Sequence, residues 1–242
     1  MSTTVIVTGA SRGIGKSIAI GLAREDINIV INCLKNREKL ADVQKEVIQK
    51  GAQCEIFLGD LSDYETVKNM FDFTHQTFDP VDVLINNAGI SIVGLFQDTT
   101  PEQWRRIMGT NLDSVYNCCH FAVEDMLHNH HGKIINISSV WGICGASCEV
   151  AYSATKGAVN SMTKALAKEL APSNIQVNAI ACGAIETTMN GHLSEEEMNA
   201  LIEEIPAGRI GQPEDVAEFV SSLVFGNSYL TGQVIQLDGG WI

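Results

Sequence analysis

Apolar residues fall along this chain in short, mostly continuous runs separated by longer stretches of helical period. The runs cover residues 5–7, 27–31, 54–58, 81–85, 133–137, 175–180 and 233–237. Runs of a few residues that are apolar at successive positions suit strands of a parallel sheet buried on both faces. After the first run, Ile14, Ile18, Ala19 and Leu22 recur at helical spacing. Further helical patterns span 38–49, 64–77, 102–127, 151–170 and 214–223. Thr100-Pro101-Glu102 and Gln212-Pro213-Glu214 open two of them with residues favoured at helix starts. Strand and helix alternate without repeats or linkers. With right-handed crossovers this predicts an α/β fold, a Rossmann-type, doubly wound parallel sheet of seven strands with helices on both faces, in one domain spanning 1–242. Residues 184–205 fit the alternation less well. Ser194-Glu195-Glu196-Glu197 reads as a capped helix inserted before the last crossover, either a lid over the carboxyl edge of the sheet or a plain surface helix.

Composition narrows the class. The chain has 242 residues, 45% hydrophobic and 19% charged, which suits one compact domain with a large core. No apolar run approaches the length of a membrane span. The opening Met1-Ser2-Thr3-Thr4 leads directly into the first strand, which predicts no secretion signal and a cytoplasmic protein. A net charge of −13 argues against nucleic acid and anionic membrane as partners. The seven cysteines are odd in number and form no Cys-x-x-Cys, so reduced thiols are expected. Cys144 with Cys148, and His128 with His130 and His131, are sparse enough that packing or solvation, rather than a metal, is the expected state.

Two constellations carry chemistry. Thr8-Gly9-Ala10-Ser11-Arg12-Gly13-Ile14-Gly15 joins the first strand to the first helix. Glycines there let the backbone approach a pyrophosphate, and a helix N-terminus offers free N–H donors, although many such turns merely connect elements. Tyr152 and Lys156 lie four residues apart, one helical turn on a common face. An ammonium close to a phenol favours the phenolate, so Lys156 is expected to lower the Tyr152 pKa and make it a general acid or base near neutral pH.

The chain resembles the short-chain dehydrogenase/reductase family over essentially its full length. The matching motifs are Thr8–Gly15, Asp60, Asn86-Asn87-Ala88-Gly89, Asn111, Ser138-Ser139, Tyr152 with Lys156, and Asp238-Gly239-Gly240. The resemblance implies a catalytic set of Ser139, Tyr152, Lys156 and Asn111, with Ser139 rather than Ser138 as the active serine. It implies a cofactor pocket of Gly9, Ser11, Arg12, Gly13, Ile14, Gly15, Asp60, Leu61, Asn87, Ala88, Gly89, Tyr152, Lys156, Gly183, Ile185 and Thr187, with no metal. Tyr152 would pass the proton, Ser139 would bind the carbonyl oxygen, Lys156 would hold the nicotinamide ribose, and Asn111 would anchor a water.

Charge predicts which dinucleotide binds. An NAD site wants a carboxylate about twenty residues past the glycine turn, where it would repel a 2′-phosphate. Cys33 stands at that position, and no Asp or Glu occurs between Ile27 and Arg37. Arg12, Lys35 and Arg37 are near, which favours NADP(H).

By resemblance the reaction is reduction of a ketone, free or attached to a carrier or protein, most like that of 3-oxoacyl-(acyl-carrier-protein) reductases. Two features depart from those enzymes. The stretches matching their entrance arginines read His128-Asn129-His130-His131 and Pro172-Ser173-Asn174, and Cys182-Gly183 replaces a Pro-Gly. Residues 139–150 resemble instead a branch that reduces a 5-aminopentanone group on elongation factor P, where Glu149 would meet an amine. A hydroxysteroid dehydrogenase and a non-catalytic dinucleotide sensor are further readings. The family resemblance also implies a homotetramer built on the helices 102–127 and 151–170. Val115, Phe121, Ala122 and Met126, with Val159, Met162, Leu166 and Ala167, are expected to serve both core and partner, and residues 241–242 to lie near a neighbour's pocket.

Overall fold

A computed structural model describes residues 2–191 and 194–242; nothing is described of the Asn190 side chain. The seven strands are β1 Thr3–Val7, β2 Ile27–Cys33, β3 Gln53–Leu58, β4 Val83–Asn86, β5 Gly132–Ser139, β6 Ile175–Cys182 and β7 Val234–Leu237. They form one sheet in the order β3-β2-β1-β4-β5-β6-β7, and each of the six neighbouring pairs is parallel. The predicted doubly wound architecture is therefore what the chain adopts.

Pleating divides each strand between two cores. Val5, Val7, Ile29, Ile31, Ile85, Ile135 and Ile180 point to one face, under α1 Gly13–Leu22, α2 Arg37–Gln49 and α9 Pro213–Phe225. Ile6, Val30, Leu84, Ile134 and Val177 point to the other, under α3 Tyr64–Thr77, α5 Ser114–Asn129 and α7 Val150–Leu170. Because both faces are covered, β2 and β6 are buried along their whole length, which is why they read as mostly apolar runs, with Asn28, Asn32, Gln176 and Asn178 buried among them. Each fully buried Ile or Leu contributes roughly 1.5–3 kcal/mol.

Two expectations change. The helix predicted over 102–127 forms, but it is not regular throughout. It comprises α4 Pro101–Met108, a π-helical turn Gly109–Asp113, and α5. Hydrophobic period alone cannot register the extra residue of a π-turn. In addition, Val115, Ala122, Met126, Val159 and Ala167 are buried in the chain's own core, with Phe121, Met162 and Leu166 packed against them. The exposed apolar side chains on these helices are instead Trp104, Tyr116, Leu127 and Val150.

The insertion contains a short 3-10 turn, Thr188–Asn190, and α8 Glu195–Glu204, which starts with a Ser194/Glu197 capping box and buries no residue. Residues 192–193 of the expected lid lie outside the described residues. No helix among the described residues is long and apolar enough to cross a membrane.

Candidate active site

The chain runs outward from β1 through β2 to β3, then returns to place β4 on the other side of β1. That reversal opens a crevice at the carboxyl ends of β1 and β4, the usual ligand position in such sheets. The glycine turn follows β1, and Asn87-Ala88-Gly89 follows β4. They are locked together by one hydroxyl. Thr8 Oγ1 accepts from the N–H groups of Asn87 at 2.9 Å and Ala88 at 3.0 Å. Asn87 Nδ2 in turn donates to Thr8 O at 2.9 Å and Gly9 O at 3.2 Å.

This packing leaves no room for a side chain at two of the glycines. A Cβ on Gly9 would lie 2.8 Å from Ala88 Cα, and Gly9 has φ +64°. A Cβ on Gly15 would lie 2.4 Å from Asn87 Nδ2 and 2.5 Å from Gly9 O. Gly13 approaches Thr187, whose Cγ2 would be 3.3 Å from an added Cβ, so Thr187 joins the same wall. Helix α1 begins there with no side-chain cap and no acidic residue in its first turn. Its free N–H donors and positive dipole end face the crevice lined by glycine backbone. The site therefore fits a dinucleotide pyrophosphate. Ser11 and Ile14 are half-buried on this turn, while Leu61 and Ile185 are buried. Asp60 is exposed on the far side and accepts from Ser62 N at 3.0 Å and Ser62 Oγ at 2.7 Å.

Past β2, Cys33 is buried and its carbonyl accepts from Gly59 N at 3.1 Å. Arg12, Lys35 and Arg37 are exposed, and none of the ion pairs among the described residues uses them.

The reactive groups converge from β5 and α7. Strand alternation separates the two serines. Ser138 Oγ turns into the core and donates to Asn160 Oδ1 at 2.6 Å. Ser139 Oγ instead accepts from Trp141 N at 3.2 Å and lies close enough to Tyr152 to act on its pKa. Lys156 is 5% exposed, and its Nζ donates to Ile137 O at 2.8 Å. Gly89 closes this corner, since a Cβ there would lie 3.5 Å from Asn111 Oδ1 and 3.7 Å from Lys156 Nζ.

The expected charge relation between Tyr152 and Lys156 is not what the structure shows. Lys156 Nζ lies 5.6 Å from the Tyr152 ring centroid. Burial, followed by the fields of Cys182 and Glu149, pushes the Tyr152 pKa well above the ordinary phenol value, against a smaller lowering from the Ser139 hydrogen bond. Burial likewise lowers the Lys156 pKa to about 8, while Cys182 acts in the opposite sense. Desolvation penalises the charged form of both groups, and here it outweighs their pairing. Tyr152 therefore holds its proton at neutral pH. Cys182, at the end of β6, is pushed up to about 12 by burial, with Lys156 opposing.

Asn111 sits in the π-turn with no exposure. Its amide clamps Ile90, accepting from N–H and donating to C=O at 2.8 Å each, and reaches Thr155 Oγ1 at 3.3 Å. A π-turn at a functional centre is a recurring device. Thr8 and Trp141 are site residues that sequence reading passed over. The signal for Thr8 was available, a hydroxyl at the end of the first strand beside the glycines. Glu149 is half-buried and accepts a hydrogen bond from Ser91 Oγ.

Comparison with known proteins agrees with this geometry. The family model for short chain dehydrogenase matches residues 3–198. The 3-oxoacyl-[acyl-carrier-protein] reductase FabG of Staphylococcus aureus is 39% identical over 241 residues, covering 99% of this chain and 98% of that protein. The oxidoreductase YmfI of Bacillus subtilis is 37% identical over 243 residues, covering 100% and 99%. The crystal structure of a protein assigned as a short-chain alcohol dehydrogenase from Sinorhizobium meliloti superposes with a TM-score of 0.93 at 32% identity, covering 100% of this chain and 97% of that one.

Proposed function

The chain belongs to the short-chain dehydrogenase family, whose members are oxidoreductases that use a nicotinamide dinucleotide, and from that premise we propose that it is an NADPH-dependent ketone reductase, most like a 3-oxoacyl-(acyl-carrier-protein) reductase. The carrying observation is the convergence of Ser139, Tyr152 and Lys156, all buried, with Ser139 Oγ held by Trp141 N beside the glycine crevice. When bound, the dinucleotide supplies the hydride. Ser139 has a lone pair occupied by Trp141 N–H, which leaves its own hydrogen to point at a substrate carbonyl oxygen. Tyr152, neutral at working pH, donates its proton to that oxygen as charge develops. Lys156, with a pKa near 8, is poised to return a proton to the phenolate. NADP(H) preference rests on Arg12, Lys35 and Arg37 and on the thiol of Cys33 in place of a carboxylate.

An acyl ketone suits the apolar loops flanking the reactive pair. Val93, Leu95, Phe96 and Ile143 are exposed there, and Gly94 N donates to Cys148 O at 2.8 Å to join the two loops. A second reading has its own observation. Glu149 is held by Ser91 and its charge reaches Tyr152, which suits a ketone that carries a cationic amine, such as 5-aminopentanone on elongation factor P. We place the enzyme in the cytoplasm as a homotetramer.

The test is NADPH oxidation, followed by absorbance, with acetoacetyl thioesters, a steroid ketone and modified elongation factor P. Turnover of the thioester in preference to the others is expected. Preference for the amine-bearing substrate, lost in Glu149→Gln, would move the assignment to the second reading. A wild type that binds NADPH but reduces none of them would overturn both.

A further inference from the structure

Residues 238–242 pack against two separate parts of the active site. Asp238 bonds its own turn, accepting from Gly240 N at 2.9 Å and Ile242 N at 3.2 Å. Its backbone presses on Gly183, where an added Cβ would lie 2.8 Å from Asp238 Cα. Gly239 adopts φ +69° and its carbonyl accepts from Ala207 N at 3.0 Å, just past α8. A Cβ at Gly239 would come within 2.9 Å of Ile205 Cγ2. These contacts fix where the next side chain goes. Trp241 packs edge-on against Trp141, with ring centroids 5.0 Å apart and planes at 64°. Its indole N–H donates to Glu204 Oε2, at the end of α8, at 3.3 Å.

Trp141 is the residue whose backbone N–H donates to Ser139 Oγ. It opens the one-turn helix α6, Trp141–Cys144, which buries no residue of its own. The second residue of α6 is held to α7, since Asn160 Nδ2 donates to Gly142 O at 3.1 Å and a Cβ on Gly142 would lie 2.7 Å from Lys156 C. At its first residue, by contrast, an indole ring packed edge-on against the side chain restrains the N–H that aims the Ser139 hydroxyl.

We infer that Trp241 is a positioning residue for Ser139, acting through Trp141 and tied by Glu204 to α8. This rests on the reading of Ser139 as the carbonyl-binding hydroxyl. Removing the ring frees Trp141, and the Ser139 oxygen then samples orientations that do not meet the carbonyl. Neither Trp141 nor Trp241 takes part in the contacts that build the glycine crevice, so NADPH binding there is expected to stay intact.

The test compares Trp241→Ala and Trp241→Phe with the wild type by steady-state kinetics, NADPH titration and hydrogen exchange over residues 139–145. Trp241→Ala should lower kcat about three- to tenfold, as expected for loss of an aromatic contact, with NADPH affinity unchanged. Exchange over 139–145 should quicken, and Trp241→Phe should restore kcat by restoring a ring. If the alanine variant does not fold, Trp241→Leu keeps apolar bulk without the ring and should give the same slowing. Wild-type kcat and wild-type exchange in Trp241→Ala would overturn the inference. So would a loss shared equally by kcat and NADPH affinity, which would mark general loosening. The exchange arm needs no turnover. A wild type inert towards every ketone would thus sink the functional reading, while unchanged exchange would sink this one.

Discussion

Tyr152 and Lys156 share a helix face, yet burial moves both away from their charged forms. Tyr152 is thereby kept protonated, and if it is the proposed proton donor Tyr152→Phe should lower kcat by ~10²–10⁴. NADPH binding should stay within a few-fold, because the glycine crevice does not use the phenol. A variant keeping a tenth of wild-type activity would remove Tyr152 from the mechanism. Lys156 gives a thermodynamic prediction. Its pKa is 10.5 when unfolded and about 8 when folded. Between those values the unfolded chain binds more protons, so stability rises with pH across that window, and the burial penalty is present in full below it. Lys156→Met has no such group. Its stability relative to wild type should fall by roughly 2–3 kcal/mol between pH 7 and pH 10. Urea unfolding at both pH values measures this, and a constant difference would contradict it. Arg12→Ala should weaken NADPH roughly tenfold to a hundredfold and leave NADH nearly unchanged, since the contact at stake is a charged hydrogen bond to the 2′-phosphate. Equal weakening of both cofactors would show that Arg12 does not discriminate.

Between α4 and α5 the helix takes in an extra residue, and Asn111 is the beneficiary. The wider π-turn lets its amide turn out of the helix to clamp both backbone groups of Ile90. That clamp holds the turn after β4 against α7 through Thr155. Asn111→Ala leaves two backbone groups unpaired, so it should destabilise the fold by about 2–4 kcal/mol. Chemical denaturation would show this, and a change under 0.5 kcal/mol, within the ordinary range for surface sites, would mean that water replaces the amide without loss. Helix α1 shows the converse economy. Its start carries neither a cap nor an acidic residue, whereas α2, α3, α4, α8 and α9 each carry an acid in the first turn. Helices α5, α6 and α7 also start without either, but α1 is the one that follows the glycine turn at the crevice, where its open end can meet an anion.

At the scale of the molecule, α3, α4 and α5 present an aromatic surface. Tyr64 packs at a tilt against Phe121 with centroids 5.0 Å apart and against His120 at 5.6 Å, Tyr116 lies 6.1 Å from His120, and Tyr116 and, on α4, Trp104 are exposed. Apolar surface of this kind, on a chain with net charge −13, is better suited to a partner copy than to water. Light scattering at micromolar concentration should report a tetramer. Tyr116→Glu should shift it to smaller species without unfolding, because that side chain is 54% exposed. A monomeric wild type would refute the assembly.

The sequence by itself determined the fold class, the strand count and the positions of the glycine turn, Ser139, Tyr152 and Lys156. Those features depend on hydrophobic period and on motifs local in the chain, and both are written in residue order. The family resemblance implied Ser139 rather than Ser138, and strand alternation turns the Ser138 hydroxyl to Asn160 in the core and the Ser139 hydroxyl to Trp141. The tertiary structure alone decided the sense of the Tyr152 pKa, because desolvation depends on what packs around a group rather than on its helical neighbour. It alone widened the 102–127 helix into a π-turn at Gly109–Asp113, turned Val115, Ala122 and Met126 inward, and brought Thr8 to Asn87 across 79 residues. It alone placed Trp241 on Trp141, a hundred positions away, since contacts between distant residues are fixed only when the sheet closes and both faces are covered.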